Sequence, residues 1–331
     1  MAMMGKFQIR TDLALEAKES CEAKDGQPRG VRVTEQEDPE REIYTTTVVI
    51  ETENGARVMG KPVGTYITLE APNMSSPDED YHAEISEALA GHIRALMRTE
   101  DDKRKSVLVV GLGNREVTPD ALGPEVVGNL RITRHMIRVY GRVSAELQQA
   151  AEVSALVPGV MAQTGMETLE IIKGVVDETH PQLVIVIDAL AARSTKRLNR
   201  TIQITDTGIN PGSGVGNHRD AINEETLGVP VIAIGVPTVV DAVTIVNDTM
   251  EALVEELDRS ERLQRLTGAL GTLDHVEKQE LIRELISSQL NTMFVTPKDI
   301  DETVKYLSFM ISESLNKVFF EERPEEQPLQ A

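Results

Sequence analysis

The sequence predicts an α/β protein built on an open, doubly wound, mostly parallel sheet. Residues 106–111, 183–188 and 229–236 are short continuous apolar runs, which are typical of strands buried on both faces of a parallel sheet. Helical patterns, including 119–130 and 164–176, lie between these runs. Because strand and helix alternate along the chain, a doubly wound sheet is the natural prediction.

A strand-rich part precedes this centre. Residues 30–33, 43–51 and 65–69 are rich in Val, Ile, Thr and Tyr, which favour strands. A helix is predicted for 81–97, where apolar residues recur at helical spacing. Residues 1 to about 28 are polar and lack such a period, so we expect them to form a tail outside the core.

The C-terminal part is predicted to be helical. Residues 241–257 carry apolar residues in helical register, and segments 276–289 and 298–319 are charged and helical. No Pro/Gly-rich linker interrupts the chain, so we expect residues 258–319 to form a helical appendage on the same domain. The composition of residues 320–331 predicts a disordered tail.

The composition excludes several classes of protein. The 54 acidic and 34 basic residues give a formal net charge of −20, which disfavours direct binding to nucleic acid. The single cysteine, Cys21, excludes an intramolecular disulfide and indicates a reducing compartment. No apolar run approaches the roughly 18 residues of a membrane span, and no secretory signal is visible at the N-terminus. We therefore expect a cytoplasmic protein that is not in a membrane.

The first candidate site residue is Asp120, which follows the strand at 106–111. Thr118 followed by Pro119 is typical of a helix start, with Thr118 as the N-cap and Pro119 at the first helical position. Asp120 would then lie in the first turn, at the carboxyl edge of the sheet, where open α/β folds keep their sites. The alternative role is a carboxylate that interacts favourably with the helix dipole.

A dinucleotide-binding loop is the main competing interpretation of this segment. Gly111 and Gly113 match the first two glycines of the G-x-G-x-x-G fingerprint, but Glu116 replaces the third. The helix also begins too late for its N-terminus to hold a pyrophosphate. We therefore expect no nucleotide cofactor.

The second candidate is Asp188, which ends the apolar run of the next predicted central strand. Burying a lone carboxylate is expensive, so Asp188 must lie at the mouth of the crevice or have a partner. It could instead cap the next turn or pair with Arg193. If Asp120 and Asp188 meet, the pair can share a proton and perform acid–base chemistry without a metal. Close carboxylates could also bind a divalent cation.

A glycine-rich segment could border the crevice. Residues 208–216 contain four glycines and one proline, which fits either a flexible surface loop or a loop whose backbone binds an extended peptide or an oxyanion. His218 could ligate a metal or orient a carboxylate, although a lone loop histidine usually does neither. The sequence contains no G-x-S-x-G elbow, H-E-x-x-H helix or C-x-x-C pair, so serine, zinc-helix and redox mechanisms have no support.

Several long motifs resemble the germination protease family of spore-forming Firmicutes, and the resemblance spans nearly the whole chain. They are IRTDLALEAKE (9–19), GKPVGTYITLEAP (60–72), VVGLGNREVTPDALGP (109–124), VSALVPGVMAQTGMETLEII (153–172), VIDALAAR (186–193) and INPGSGVGNHR (209–219).

The resemblance implies an atypical aspartic endopeptidase that degrades small acid-soluble spore proteins during germination. It places the two catalytic aspartates on Asp120 and Asp188, and it implies a homotetramer in the interior of the developing spore. It also implies a fold like that of hydrogenase maturation endopeptidases. Those relatives carry a metal-contacting Glu just after the loop aspartate, whereas this chain has Ala121, so we expect no bound metal.

The resemblance further implies a zymogen with a short propeptide, predicted here as residues 1–12, followed by one peptidase domain at 13–331. The segment from Asp12 to Glu16 matches the pattern of the spore-protein sites: an acidic residue, a hydrophobic one, an alanine and then a glutamate. We therefore predict self-cleavage between Asp12 and Leu13. An ordinary tail trimmed by other proteases is the alternative.

Two other functions stay open on the sequence. One is a metal-assisted maturation-type peptidase that uses Asp120, Asp188 and His218. The other is a non-catalytic α/β module that binds a nucleotide or a protein.

Overall fold

The computed structural model describes residues 12–25, 28–97, 106–144, 147–148, 150–212, 219–242, 244–246, 249 and 293–320. The strands are β1 Val31–Asp38, β2 Ile43–Ile50, β3 Gly64–Glu70, β4 Ser106–Gly111, β5 Glu152–Leu156, β6 Leu183–Ala192, β7 Thr201–Thr205, β8 Val231–Asp241 and β9 Phe294–Val295. The helices are α1 Ala14–Asp25, α2 Glu53–Met59, α3 Glu79–Leu96, α4 Leu122–Gly128, α5 Arg134–Tyr140, α6 Met161–Thr164, α7 Thr168–Thr179, α8 Glu224–Leu227 and α9 Ile300–Phe320.

Within the described residues, one sheet contains nine strands in the order β1-β2-β3-β7-β8-β6-β4-β5, with β9 beside β8. Strands β8, β6, β4 and β5 are parallel. The strand-rich N-terminal part extends the same sheet through antiparallel pairs, from β1 to β7 and β8. The predicted α/β class is confirmed, and the parallel arrangement holds for the half of the sheet that contains the central apolar runs.

Side chains alternate between the two faces of the central strands. In β4, Val107 and Val109 join the core cluster under α3, α4 and α9, whereas Leu108 and Val110 join the cluster under α7 and α8. A strand covered by helices on both faces must be apolar at every position. The continuous apolar runs in the sequence therefore correctly indicated helices on both sides of the sheet.

The expectation of a polar N-terminal tail was wrong for the described residues from Asp12 onward. Leu13 and Ala14 are fully buried, and α1 packs its small residues on the antiparallel half of the sheet. Ala14 and Ala17 contact a cluster that includes Val48 and Ile50. This helix was not predicted because its buried face consists largely of alanines, which give only a weak periodic hydrophobic signal.

Three strands were not predicted, namely β5, β7 and the two-residue β9. In β7, with the sequence TIQIT, all five residues are buried although three are polar. Such a strand has no apolar run, and only its neighbours β3 and β8 identify it.

The C-terminal helix α9 confirms the predicted helix at 298–319. Leu307, Ile311 and Leu315 are fully buried in the core cluster shared with α3. The predicted helix at 276–289 and the predicted disorder of 321–331 lie outside the described residues, as does most of 241–257. Among the described residues, none of the helices combines the length and apolar character needed to cross a bilayer.

Candidate active site

The loop between β4 and α4 places Asp120 against the end of β6. The N–H of Leu112 donates a 2.8 Å hydrogen bond to the carbonyl of Ile187, which ties the start of the loop to β6. Thr118–Asp120 then forms a 3-10 turn, and α4 begins at Leu122. The predicted N-cap was wrong: Val117 holds the cap position, and Thr118 and Pro119 lie inside the turn.

The Asp120 carboxylate is fixed by the backbone of its own loop. Its Oδ2 accepts a 2.8 Å hydrogen bond from the N–H of Asn114. The Asn114 side chain in turn accepts from the N–H of Glu116 at 3.0 Å and from Nε2 of Gln163 at 2.9 Å. Thr238 Oγ1 donates to the carbonyl of Pro119 at 2.7 Å, which anchors the turn to β8. These hydrogen bonds therefore fix the loop and hold the Asp120 carboxylate in one position.

Asp188 lies inside β6, which continues four residues beyond the predicted end of the strand. Its side chain is only 7% exposed, and Oδ1 accepts from the N–H of Ala189 at 3.0 Å. Burial raises the pKa of Asp188 well above its ordinary value, and the negative charges of Asp120 and Asp12 raise it further. The structure thus brings the two predicted carboxylates close enough for one charge to act on the other.

The environment of Asp120 raises its pKa less than the environment of Asp188 raises that of Asp188. Burial raises its pKa, whereas the Asn114 hydrogen bond and the positive charge of Arg219 lower it. Arg219 also lowers the pKa of Asp188, against the larger effects of burial and like charge. The sequence did not single out Arg219, because one arginine in a polar loop carries no signal. The backbone N–H of Arg193 donates to Glu16 at 2.9 Å, and the suggested pairing of the Arg193 side chain with Asp188 stays a prediction.

The predicted cleavage residues Asp12 and Leu13 lie on the extension of β6 beyond Asp188. Asp12 Oδ2 accepts from the N–H of Ala191 at 3.0 Å, and the N–H of Asp12 donates to the carbonyl of Ala191 at 3.4 Å. The carbonyl oxygen of Asp12 accepts from Lys61 Nζ at 2.9 Å and from Gln203 Nε2 at 3.2 Å. Asp12 is thus held against the backbone of β6, two residues before α1 begins.

Leu13 and the residues that follow it also fill defined positions. Leu13 packs in an apolar cluster of Leu190, Ala192, Leu198 and Val240. The N–H of Ala14 donates to Gln203 Oε1 at 2.6 Å.

Glu16 is a buried anion, 2% exposed, near the end of β6. Its carboxylate accepts from the N–H groups of Arg193 at 2.9 Å and Ser194 at 3.0 Å, and it lies 3.7 Å from Arg197 Nε. Burial lowers the pKa of Lys61, while the charges of Asp12 and Glu16 raise it. Three of these residues were not predicted from the sequence, namely Lys61, Gln203 and Arg197, although Lys61 lies within one of the motifs that carry the resemblance.

The described part of the chain contains no group of three or more His, Cys, Asp or Glu side chains arranged to hold a metal ion. His218 and residues 213–217 of the glycine-rich loop lie outside the described residues. Their predicted roles stay predictions.

Comparisons with known proteins agree with the motifs. The family model of germination proteases matches residues 9–262 and 253–328. A germination protease of Caldanaerobacter subterraneus subsp. tengcongensis is 50% identical over 314 residues, which are 93% of this chain and 93% of the relative. One from Clostridium perfringens is 42% identical over 94% of each chain. One from Bacillus velezensis is 41% identical over 96% of this chain and 95% of its own.

Among solved structures, the [NiFe] hydrogenase maturation protease HycI from Thermococcus kodakarensis matches 40% of this chain and 74% of its own, at 20% identity and a TM-score of 0.26. This structural similarity is too low to support any conclusion about the site. The family match and the relatives cover nearly the whole chain, and the chain belongs to the germination protease family of endopeptidases.

Proposed function

We propose that Asp120 and Asp188 are the catalytic pair of an atypical aspartic endopeptidase. The observation that carries the proposal is the placement of both carboxylates at the same edge of the sheet, with Asp188 buried and its pKa raised by burial and by Asp120. Two such groups in different environments can hold one proton between them. Acid and base are then available together near neutral pH.

The different environments of the two carboxylates support one division of the roles. Asp188 is the more deeply buried group and holds the proton, so it polarises the scissile carbonyl. Asp120, which accepts from Asn114 and lies near Arg219, is ionised and acts as the base.

The steps balance without a cofactor. Asp120 takes a proton from water as the water oxygen bonds to the carbonyl carbon, and Asp188 donates its proton to the carbonyl oxygen. Asp188 recovers that proton as the tetrahedral intermediate collapses and the C–N bond breaks. The proton held by Asp120 passes to the departing nitrogen, which leaves one carboxylic acid and one amine.

The proposed substrates are the small acid-soluble, DNA-binding spore proteins, cleaved when spores germinate. The chain's own segment supports this class, since it follows the acidic–hydrophobic–alanine–x–glutamate pattern and each patterned residue has a defined partner. Asp12 meets Ala191, Leu13 lies in an apolar cluster, Ala14 donates to Gln203, and Glu16 meets two backbone N–H groups.

We further propose that the chain is made as a zymogen that cuts itself between Asp12 and Leu13. Tethering gives the segment a high effective concentration at the crevice, which would keep the precursor inactive. Mild acid should promote the cut, because partial protonation of these carboxylates relieves the charge repulsion between Asp12 and the pair Asp120 and Asp188. We also propose a homotetramer in the cytoplasm of the developing spore. Sedimentation of the purified chain tests the tetramer.

The deciding experiment incubates the chain beginning at Leu13, which needs no self-cleavage, with a small acid-soluble spore protein and identifies the fragments by mass spectrometry. Asp120→Asn and Asp188→Asn should each remain folded and lose at least about 10³-fold in turnover, and the double variant should be little worse than either single variant. Turnover near that of the wild type in either variant would contradict the catalytic assignment. Activity lost to a chelator and restored by zinc, nickel or manganese would instead support the metal-assisted alternative with His218.

A further inference from the structure

Four residues form one row across the sheet face that carries the site. In the strand registers, Asp188 pairs with Gly235, Gly235 pairs with Gln203, and Gln203 pairs with Thr68. Residues in register on neighbouring strands share a face. At about 4.8 Å per strand, the Cα atoms of Asp188 and Gln203 are on the order of 10 Å apart.

Gly235, in the middle of this row, is covered by the side chain of Leu190. A Cβ placed on it would lie 2.5 Å from a methyl carbon of Leu190, the residue whose side chain also packs on Leu13. A small polar pocket of about 80 Å³ opens beside the row, and its lining includes Asp12, Lys61, Gln203 and Gly235. Gln203, which belongs to this row, therefore lines the same pocket as Asp12.

Two donors from separate strands and loops converge on one backbone oxygen in this space. Lys61, just before β3, and Gln203, in the middle of β7, both donate to the carbonyl of Asp12. Gln203 is 7% exposed, and its Oε1 accepts from the N–H of Ala14, so its amide orientation is fixed. Two positioned donors on one carbonyl oxygen have the geometry that stabilises an oxyanion.

We infer that Lys61 and Gln203 are catalytic residues that bind the carbonyl oxygen of the residue before the scissile bond and stabilise the negative charge that develops on it. The inference rests on the proposed cleavage between Asp12 and Leu13, and it adds two residues to the aspartate pair. Asp188 lies in the same row as Gln203, two strands away.

The competing role is simple anchoring of the segment. If these residues only anchor the segment, replacing Lys61 or Gln203 should release it. The rate of cleavage should then fall in proportion to the fraction of chains in which the segment is docked. Oxyanion binding predicts that cleavage falls while the segment stays docked, because the contacts of Asp12 with Ala191 and of Glu16 with Arg193 and Ser194 remain.

The first test uses the Asp12 carbonyl itself and needs no cleavage. Asp12-Leu13 is the only Asp-Leu pair in the sequence, so labelling aspartate with ¹³C at the carbonyl and leucine with ¹⁵N gives a single correlated signal. We expect Lys61→Met to move this carbonyl signal upfield in the full chain carrying Asp120→Asn, as a donor is lost. An unchanged signal would overturn the inference.

The second test measures the rate of self-cleavage in the full chain, with hydrogen exchange of the Ala14 amide as the measure of docking. Lys61→Met and Gln203→Glu should each slow the cut by about 10²-fold or more with Ala14 still protected. The Gln203→Glu change keeps the oxygen that accepts from Ala14 and removes the amide donor. Lys61→Arg, which retains charged donors, should recover part of the rate.

The control is Lys317→Met, which removes an ammonium paired with Glu87 at 2.7 Å on the opposite face of the sheet. Its rate should equal that of the wild type. Normal rates in Lys61→Met and Gln203→Glu, or rates that fall only in step with Ala14 protection, would overturn the inference. Cleavage that persists in Asp120→Asn would instead contradict the proposed aspartate pair, so the two failures are distinguishable.

Discussion

Gly123 in α4 lies against the backbone of Ile187, the residue that precedes Asp188 in β6. A Cβ built on Gly123 would be 2.7 Å from the carbonyl oxygen of Ile187 and 2.4 Å from that of Leu112. These contacts are with backbone atoms, which cannot rotate away. The absence of a side chain at Gly123 therefore sets how closely the Asp120 loop and the Asp188 strand approach.

Gly123→Ala should lower both stability and activity. The added methyl must displace the loop or the strand, at a cost of about 1–3 kcal/mol, and the displacement separates the two carboxylates. Gly128→Ala in the same helix is the matched control. No atom lies within 4 Å of its added methyl, so it should leave activity unchanged and gain up to about 1 kcal/mol of helix propensity. Urea unfolding and peptide turnover measure both effects, and equal behaviour of the two variants would contradict the packing argument.

Asp188→Asn should make the uncleaved chain more stable at neutral pH. The folded chain raises the pKa of Asp188 above its ordinary value of 3.8, so ionisation opposes folding. Protonated Asp188 makes its full contribution to the free energy of unfolding below about pH 3.8, the ordinary pKa of an aspartate. That contribution is lost as the pH rises through the pKa of Asp188 in the folded chain. The amide variant never ionises, and its advantage over the wild type should grow over that rise.

Thermal unfolding of the wild type and of Asp188→Asn, measured between mild acid and neutral pH, shows which of the two is more stable. Exposed Asp220→Asn is the control and should change stability by less than about 0.5 kcal/mol. A wild type more stable than Asp188→Asn at neutral pH would show that the ionised carboxylate has a strong favourable partner.

Glu16→Gln should cost more stability than Glu19→Gln, although both carboxylates pair with Arg197. Glu16 is 2% exposed and also accepts two backbone N–H bonds, whereas Glu19 is 52% exposed and lies 2.6 Å from Arg197 Nη2. We expect about 1–3 kcal/mol for the buried group and about 0.2–1 kcal/mol for the exposed one. Denaturant unfolding of the uncleaved chain measures both. Equal losses would mean that α1 is held by its apolar contacts alone.

Exhaustive treatment with a strong chelator should leave peptidase activity unchanged. The proposed mechanism obtains its acid and base from Asp120 and Asp188 and needs no Lewis acid. Turnover before and after chelation, with the metal content measured by mass spectrometry, checks this. Activity that falls with the metal content would refute the prediction.

The central strands and α9 could be predicted because their signals are local. A short apolar run rich in Val, such as 106–111, favours a strand covered on both faces, and the regular spacing of Leu307, Ile311 and Leu315 marks one face of a helix. The positions of Asp120 and Asp188 follow from the same runs, because parallel strands present their carboxyl ends at one edge.

The sequence by itself therefore determined the α/β class and the central strands, and it singled out two aspartates, of which Asp188 lies inside β6 and not at its end. Only the tertiary structure decided that α1 is packed and that the Asp12 carbonyl meets Lys61 and Gln203, which are 49 and 191 residues away in the chain. Those contacts depend on the insertion of β7 between β3 and β8. Strand order and register are fixed by the packing of the whole sheet, and residues so far apart leave no periodic pattern in the sequence.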